Sequence, residues 1–293
     1  MIDINRYKKI FGEDFEISGK KKFWQLRANT IKMNPSDLEN RLKGSGNVEV
    51  VKFYQDAFIV ETQENLVKSL EHVLGYFFLQ NLSSMIPPLV LDAGEDDRVL
   101  DMSAAPGAKT TEIAALMGNK GVIVANDVAE DRLKALRGNL QRCGVANSVV
   151  TRMDGRDLVK SGVTFSKILL DTPCTGTGSL SPKILKMTSE GSIRKLSNLQ
   201  KQLLYSAAGC LEKGGILVYS TCSLEPEENE ENIDYAVSKL GLVAEKIYLK
   251  DLDFIKGLTG WENKNFDDSV SNAIRVLPNG IFEGFFICKL RKN

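Results

Sequence analysis

From residue 98 onward, short apolar runs alternate with stretches in which apolar residues recur every three or four positions. RVLDMSA (98–104), GVIVAND (121–127), SVVTRMD (148–154), KILLDTP (167–173) and GILVYST (215–221) read as strands bounded by Gly, Pro, Asn or Asp. GAKTTEIAALMG (107–118), AEDRLKALRGNLQRCG (129–144), the stretch 193–212 and ENEENIDYAVSKL (228–240) read as helices. LVAEKIYL (242–249) and EGFFICKLR (283–291) complete the set as strands. Apolar strands separated by amphipathic helices predict an α/β fold built on a doubly wound, mostly parallel sheet. Ligands of such sheets bind beyond the carboxyl ends of the strands, so the chemistry is expected there.

Residues 1–75 read as a separate small α/β module, leaving 76–293 for the second domain. Strand-like QLRANTI (25–31) precedes NPSDLENRLK (34–43), a helix opened by the capping run Asn34-Pro35-Ser36. VEVVKFY (48–54) and DAFIVE (56–61) look like two strands around a turn. Residues 71–92 carry helical spacing at Leu74, Phe77, Phe78, Leu82 and Met85, and Pro87-Pro88 should stop that helix. No internal repeat or low-complexity linker is visible.

The 293 residues, 43% hydrophobic and 26% charged, suffice for a substantial core. No apolar run approaches the roughly 18 residues of a membrane span, and the first 22 residues lack the apolar stretch of a secretory signal. The expectation is a soluble, cytoplasmic monomer without a membrane anchor or a domain beyond residue 293. Five cysteines, odd in number and never spaced CxxC, oppose both a disulfide framework and a zinc ribbon. His72, the single histidine, suits a packed helix, so histidine catalysis and a metal centre are not expected. Lys plus Arg equals Asp plus Glu, so charge speaks only locally. Lys183, Lys186, Arg194, Lys195 and Lys201 face one acid, Glu190, within 183–201, and residues 1–50 hold ten basic against seven acidic. Either run is a solvated face or a phosphate-binding surface.

The first strand of the second domain ends in Asp101-Met102-Ser103-Ala104-Ala105-Pro106-Gly107-Ala108-Lys109-Thr110. A dinucleotide fingerprint needs GxGxxG, and a Walker A loop needs glycines where Ser103 and Ala108 stand. A turn of small residues before a helix still lets a ligand approach the backbone. Asp127 lies 20 residues past Gly107 at the second strand end, where a carboxylate suits ribose hydroxyls. Asp154 and Asp171 end the third and fourth strands. Successive carboxylates repel pyrophosphate yet tolerate a sulfonium cation, which favours S-adenosylmethionine over a nucleotide phosphate.

Asp171-Thr172-Pro173-Cys174-Thr175-Gly176-Thr177-Gly178 follows the fourth strand, and Ser220-Thr221-Cys222-Ser223 the fifth. Cys143, Cys210 and Cys288 sit inside helix or strand patterns and read as small core residues. Cys174 and Cys222 instead lie at strand ends among Ser, Thr, Gly and Pro. DMSAAPGAKT, AND with Arg132, MDGRD, LLDTPCTGTG and YSTCSLEPEENE together resemble the NOP/Sun family of RNA (cytosine-5) methyltransferases. Weaker likenesses run through RANTIK near Arg27, QNLSSMIPPLVL from Gln80 and the terminal GFFICKL. Met102 and Ala108 depart from the Cys and Gly usual in the first motif, and neither change removes a reacting side chain.

The resemblance implies a class I S-adenosylmethionine-dependent methyltransferase fold with a small N-terminal α/β domain that helps bind RNA. It implies Cys222 as the nucleophile, Cys174 as the group assisting release, and Asp171 as a proton-sharing acid at N3. Lys109 would help hold the base or the cofactor carboxylate, and the loop 103–109 with Asp127, Arg132, Asp154 and Asp171 would hold the cofactor. The compact build implies tRNA as substrate, with ribosomal RNA second. The chemistry explains the cysteines: carbon 5 of cytosine becomes nucleophilic only after a thiolate adds to carbon 6. A DNA cytosine-5 methyltransferase would carry an ENV motif, an amino methyltransferase of the DPPY type an aromatic in place of Cys174, and a zinc deaminase HxE with PCxxC. None is present. An inactive RNA-binding scaffold would not need both cysteines and Asp171.

Overall fold

A computed structural model describes residues 4–13, 15 and 23–293. Lys20, Lys21 and Lys22, part of the basic N-terminal run, lie outside the described residues. The chain opens with α1 (Ile4–Phe11). β1 (Trp24–Ala28), α2 (Pro35–Leu42), β2 (Asn47–Val50) and β3 (Ala57–Glu61) follow. After α3 (Leu70–Val73), β4 (Phe77–Leu79) completes an antiparallel sheet of order β2-β3-β1-β4. Asn34 caps α2 by accepting from the Ser36 N–H, as its sequence suggested. The sheet and α2 enclose a core of Leu26, Leu38, Phe58, Val60 and Phe77.

Two expectations fail here, for identifiable reasons. Residues 71–92 do not form one helix. Gly75 adopts φ +74, and a Cβ there would lie 2.1 Å from the Arg142 carbonyl oxygen, so the chain turns tightly against another element. Phe77 and Phe78 then pair with β1 as an edge strand, which carries the N-terminal sheet past residue 75. His72 accordingly sits on a one-turn helix, half-buried against Phe77. Nor do the prolines stop a helix, because α4 (Leu82–Leu91) contains both. Pro88 cannot donate to the Ser84 carbonyl four residues earlier, and the Gln80 amide donates to it instead at 3.2 Å. The helix ends at Asp92, in the left-handed region.

The second sheet is assembled from β5 (Arg98–Asp101), β6 (Val122–Asn126), β7 (Ser148–Thr151), β8 (Phe165–Asp171) and β9 (Leu211–Thr221), all parallel in the order β7-β6-β5-β8-β9. Between them run α5 (Ala108–Leu116), α6 (Glu130–Cys143), α7 (Pro182–Met187) and α8 (Glu190–Cys210). Then come α9 (Glu230–Leu240), β10 (Leu242–Glu245), β11 (Phe254–Lys256), the short hairpin β12 (Gly260–Trp261) and β13 (Lys264–Asn265), β14 (Ile274–Val276) and β15 (Phe285–Lys292). β15 pairs antiparallel with β9, and β14 and β10 pair with different halves of its outer edge. β10 is half the length its apolar run suggested. The strand order reverses at β5, between β6 and β8, which is the topological switch point of such a sheet.

Apolar packing on both faces holds the sheet. Leu170, Leu204, Tyr219, Ile233 and Phe286 lie in one cluster, and Ile86, Val99, Ile113, Leu169 and Ile287 in another. The N-terminal sheet is tied to α5 and α6 by buried polar groups. Arg27, 1% exposed, stands 3.7 Å from Glu112 and donates to Thr111, while the Asn29 amide donates to the Gly75 and Cys143 carbonyls. Breaking these bonds would leave further buried groups unpaired beside the Asn29 Oδ1 and Glu112 Oε1 that already lack a partner, so the joint favours this register. Among the described residues no helix is long and apolar enough to cross a membrane, and no His/Cys/Asp/Glu group could hold a metal ion.

Candidate active site

The parallel register of β8 and β9 sets Asp171 beside Ser220, so the runs that follow leave the sheet side by side. Cys174 and Cys222 thereby meet with their sulfurs 3.2 Å apart, both as free thiols. The Gly178 N–H donates to the Cys222 carbonyl at 2.9 Å, and the Gly284 N–H to the Gly178 carbonyl at 2.9 Å. A Cβ on Gly178 would lie 2.0 Å from the Gly284 oxygen, so this approach of loops requires glycine.

The charges around the pair are unequal. The Lys109 ammonium donates to Asp171 at 2.7 Å and to the Ser84 hydroxyl at 2.8 Å, and Ser220 donates to the other Asp171 oxygen at 2.7 Å. Burial alone would lower the Lys109 pKa, but Asp171, Asp101 and Cys222 hold it above the usual lysine value. A hydrogen bond from Cys174 lowers the Cys222 pKa, and the Lys109 charge adds to this against burial. Cys174 moves the opposite way, because it shares that bond, is buried, and lies near the Glu228 carboxylate. The Asp171 and Glu283 carboxylates oppose the lowering at Cys222, so its direction is set first by the bond from Cys174 and only then by Lys109, while Glu228 adds to the rise at Cys174.

Glu228 is the residue the sequence did not single out. It accepts from the Thr175 N–H at 3.1 Å, from Ser223 at 2.8 Å and from Gln200 at 2.8 Å, thereby bracing both cysteine loops. Burial pushes its pKa up despite those donors. It stood in YSTCSLEPEENE among four near-identical acids, with nothing to distinguish it. Equally unforeseen was α1. It packs Tyr7 and Ile10 on Leu180 and Leu224, not on the N-terminal sheet, and Arg6 and Tyr7 bond the buried Glu225 at 2.7 and 2.8 Å.

The residues expected to hold the cofactor gather at the switch point. Ser103, Ala104, Ala105, Pro106 and Gly107 form the turn between β5 and α5, with Ala108 and Lys109 opening the helix. Gly107 has φ +106, and a Cβ would meet Leu136 at 3.0 Å. Asp127, 2% exposed, accepts from the Ala129 N–H at 3.0 Å and the Ala105 N–H at 3.3 Å. Arg132 reaches Asp127 at 3.3 Å and donates to the Ala105 carbonyl at 2.6 Å. Asp154 caps the turn 155–161 and pairs with Arg156 at 2.5 Å, which lowers its pKa. Each of Asp127, Asp154 and Asp171 thus has its own cation, so this edge is a set of ion pairs and not the bare acidic ring the sequence suggested. Two apolar side chains were missed: Val128 (58% exposed) and Met153 (37%) stand open beside Asp127 and Asp154. A buried carboxylate with an apolar flank and a helix N-terminus suit the ribose, the flat ring and the carboxylate of S-adenosylmethionine. Lys109 lies with Asp171, on the cysteine side.

Of the basic segment, Lys183, Lys186, Arg194 and Lys195 are exposed without an ion-pair partner among the described residues, whereas Lys201 pairs with Glu231 at 2.9 Å.

Residues 88–291 match the family model of the 16S rRNA methyltransferase RsmB/F. The chain is 36% identical to a tRNA (cytosine(49)-C(5))-methyltransferase of Pyrococcus abyssi, over 97% of this chain and 96% of that protein. It is 38% identical to the 28S rRNA (cytosine(4447)-C(5))-methyltransferase of Homo sapiens over 91% of this chain, but spans only 34% of that longer protein. A crystal structure of a methyltransferase homolog from Pyrococcus horikoshii superposes with a TM-score of 0.86 at 35% identity, covering 99% of this chain and 94% of that one. On sequence, sheet order and the paired cysteines together, the chain belongs to the RsmB/F family of S-adenosylmethionine-dependent RNA (cytosine-5) methyltransferases.

Proposed function

We propose that the protein methylates carbon 5 of a cytosine in tRNA, with Cys222 as nucleophile and Cys174 assisting release. The unequal pair, 3.2 Å between sulfurs with Lys109 on the Cys222 side, carries the reading. The Cys222 thiolate bonds to carbon 6, and the displaced electron pair moves through the ring toward N3. Asp171, tied to Lys109 and Ser220, shares a proton with N3 and so stabilises the adduct. Carbon 5 is then the nucleophile, and bound S-adenosylmethionine supplies an electrophilic methyl group. Once Cys222 is bonded to carbon 6, the thiolate that raised the Cys174 pKa is gone, and Cys174 can release its proton to solvent. The Cys174 thiolate then takes the carbon 5 proton, the ring double bond re-forms, Cys222 leaves as the thiolate, and the bond between the two sulfurs is restored. Asp127 and the 103–109 turn would hold the cofactor, with Arg132 and Asp154 bracing its edge and Val128 and Met153 flanking the adenine.

The near-full coverage of a tRNA enzyme, against a third of the 28S enzyme, supports tRNA over ribosomal RNA. The N-terminal sheet and the Lys183–Lys195 surface would grip the RNA, and we assign the protein as a cytoplasmic monomer. The test is transfer of labelled methyl groups from S-adenosylmethionine to separated tRNA and ribosomal RNA, each digested to nucleosides. Label in 5-methylcytidine from tRNA alone is expected. Label only in ribosomal RNA would overturn the substrate, and label in another nucleoside the reaction.

A further inference from the structure

We infer that a cleft beside the catalytic loops binds one unstacked nucleobase adjacent to the target cytosine, a reading that rests on the proposed methylation of RNA. The cleft encloses about 730 Å³ between the start of β1, the end of β4 and the loops 178–182 and 278–283. That is the size of a small-molecule site. Its walls are bonded to the segments that carry the reaction centre: the Gly178 N–H donates to the Cys222 carbonyl, and Asn81 caps α4, whose Ser84 accepts from Lys109.

Its lining suits a base better than a phosphate. Phe23, Trp24 and Phe282 offer half-buried aromatic surface, on which any nucleobase can stack. Asn81 and Asn279 use their amide oxygens to cap and turn the backbone, leaving both NH₂ groups without an acceptor among the described residues. Such donors match the ring nitrogens and carbonyls of bases. Among the described residues no Lys or Arg lines the cleft, but Pro182 at its rim runs directly into exposed Lys183 and Lys186. A base inside with its phosphates outside on those lysines satisfies both patterns. A cytosine drawn out toward Cys222 loses its stacking with its neighbours, and the cleft gives one of those neighbours a replacement surface.

Trp24 is its own reporter. The protein has two tryptophans, and the Trp261 Nε1 has no hydrogen-bond partner among the described residues, so Trp261→Phe leaves Trp24 as the single emitter and forfeits none of the described hydrogen bonds. A single-stranded pentaribonucleotide with one central cytosine should quench this emission saturably. The same pentamer made abasic on one side of the cytosine should quench little and bind about tenfold more weakly, as loss of one stacked base predicts. The pentamer abasic on the other side should behave like the parent. Trp24→Leu, which keeps apolar volume in β1, should abolish the difference between the pentamers in a binding competition. Equal behaviour of all three pentamers, or no quenching at all, overturns the inference. The tRNA methylation assay on the same preparation separates the two readings. Position-specific quenching without methylation leaves the base cleft and sinks the cytosine chemistry, whereas methylation without such quenching sinks the cleft alone.

Discussion

Lys109 has two neighbours that pull its role in one direction: the Asp171 carboxylate at 2.7 Å and the Cys222 sulfur, whose ionisation it favours. Removing the cation should raise the Cys222 pKa, since the thiolate would lose its opposite charge while staying buried. Activity that needs the thiolate is lost as pH falls, so the acid limb of kcat/KM against pH should move upward, by about one unit, in Lys109→Gln. An unmoved acid limb would show that another group sets it. Cys174 and Cys222 were legible as sequence because two strand ends carried a cysteine among turn residues. Glu228 was not, because its identity as the brace comes from three donors on separate segments, Thr175, Ser223 and Gln200. Burial and partner sets of this kind exist only after the chain has folded.

At the level of elements, the alternating pattern from residue 98 corresponds to the observed strands and helices closely, because buried parallel strands need continuous apolar runs. α8 even begins within three residues of its expected start, capped by Ser189. The misread elements are those decided by a contact distant in sequence. α4 accommodates Pro88 because Gln80 takes up the carbonyl it frees, and β4 is a strand because Gly75 turns it onto β1. The same dependence makes Arg275 a point of failure. This β14 residue, 1% exposed, forms a two-pronged bond to the fully buried Glu230 of α9 and donates to the Leu224 carbonyl at 3.0 Å. Arg275→Met should leave Glu230 as an uncompensated buried charge and lower stability by about 3–5 kcal/mol in denaturant titration. A loss below about 1 kcal/mol would mean that the pair contributes almost nothing.

For the whole molecule, net charge is zero, so RNA affinity must come from where charges are placed. The exposed Lys183, Lys186 and Lys195 follow the Cys174 loop directly in sequence. Reversing all three to Glu should weaken tRNA binding and flatten the dependence of log K on log salt, by about one unit of slope per lost phosphate contact. S-adenosylmethionine binding, at the other end of the switch point, should stay unchanged. Unaltered salt dependence would remove this surface from the interface. The buried Arg27 and Asn29 joint also bears on this scale, because it ties the N-terminal sheet to α5 and to the end of α6. The sequence suggested a module but not its fixed attachment.

The division of labour between the two cysteines is the central claim, and trapping the RNA adduct tests it most directly. Each single variant is incubated with tRNA and S-adenosylmethionine, denatured, and resolved by gel and mass spectrometry. Cys174→Ala should retain a denaturation-resistant protein–RNA adduct, because carbon 6 is attacked but release is impaired, while Cys222→Ala should form none and transfer no methyl group. Free turnover by Cys174→Ala, or an adduct on Cys222→Ala, would contradict the account.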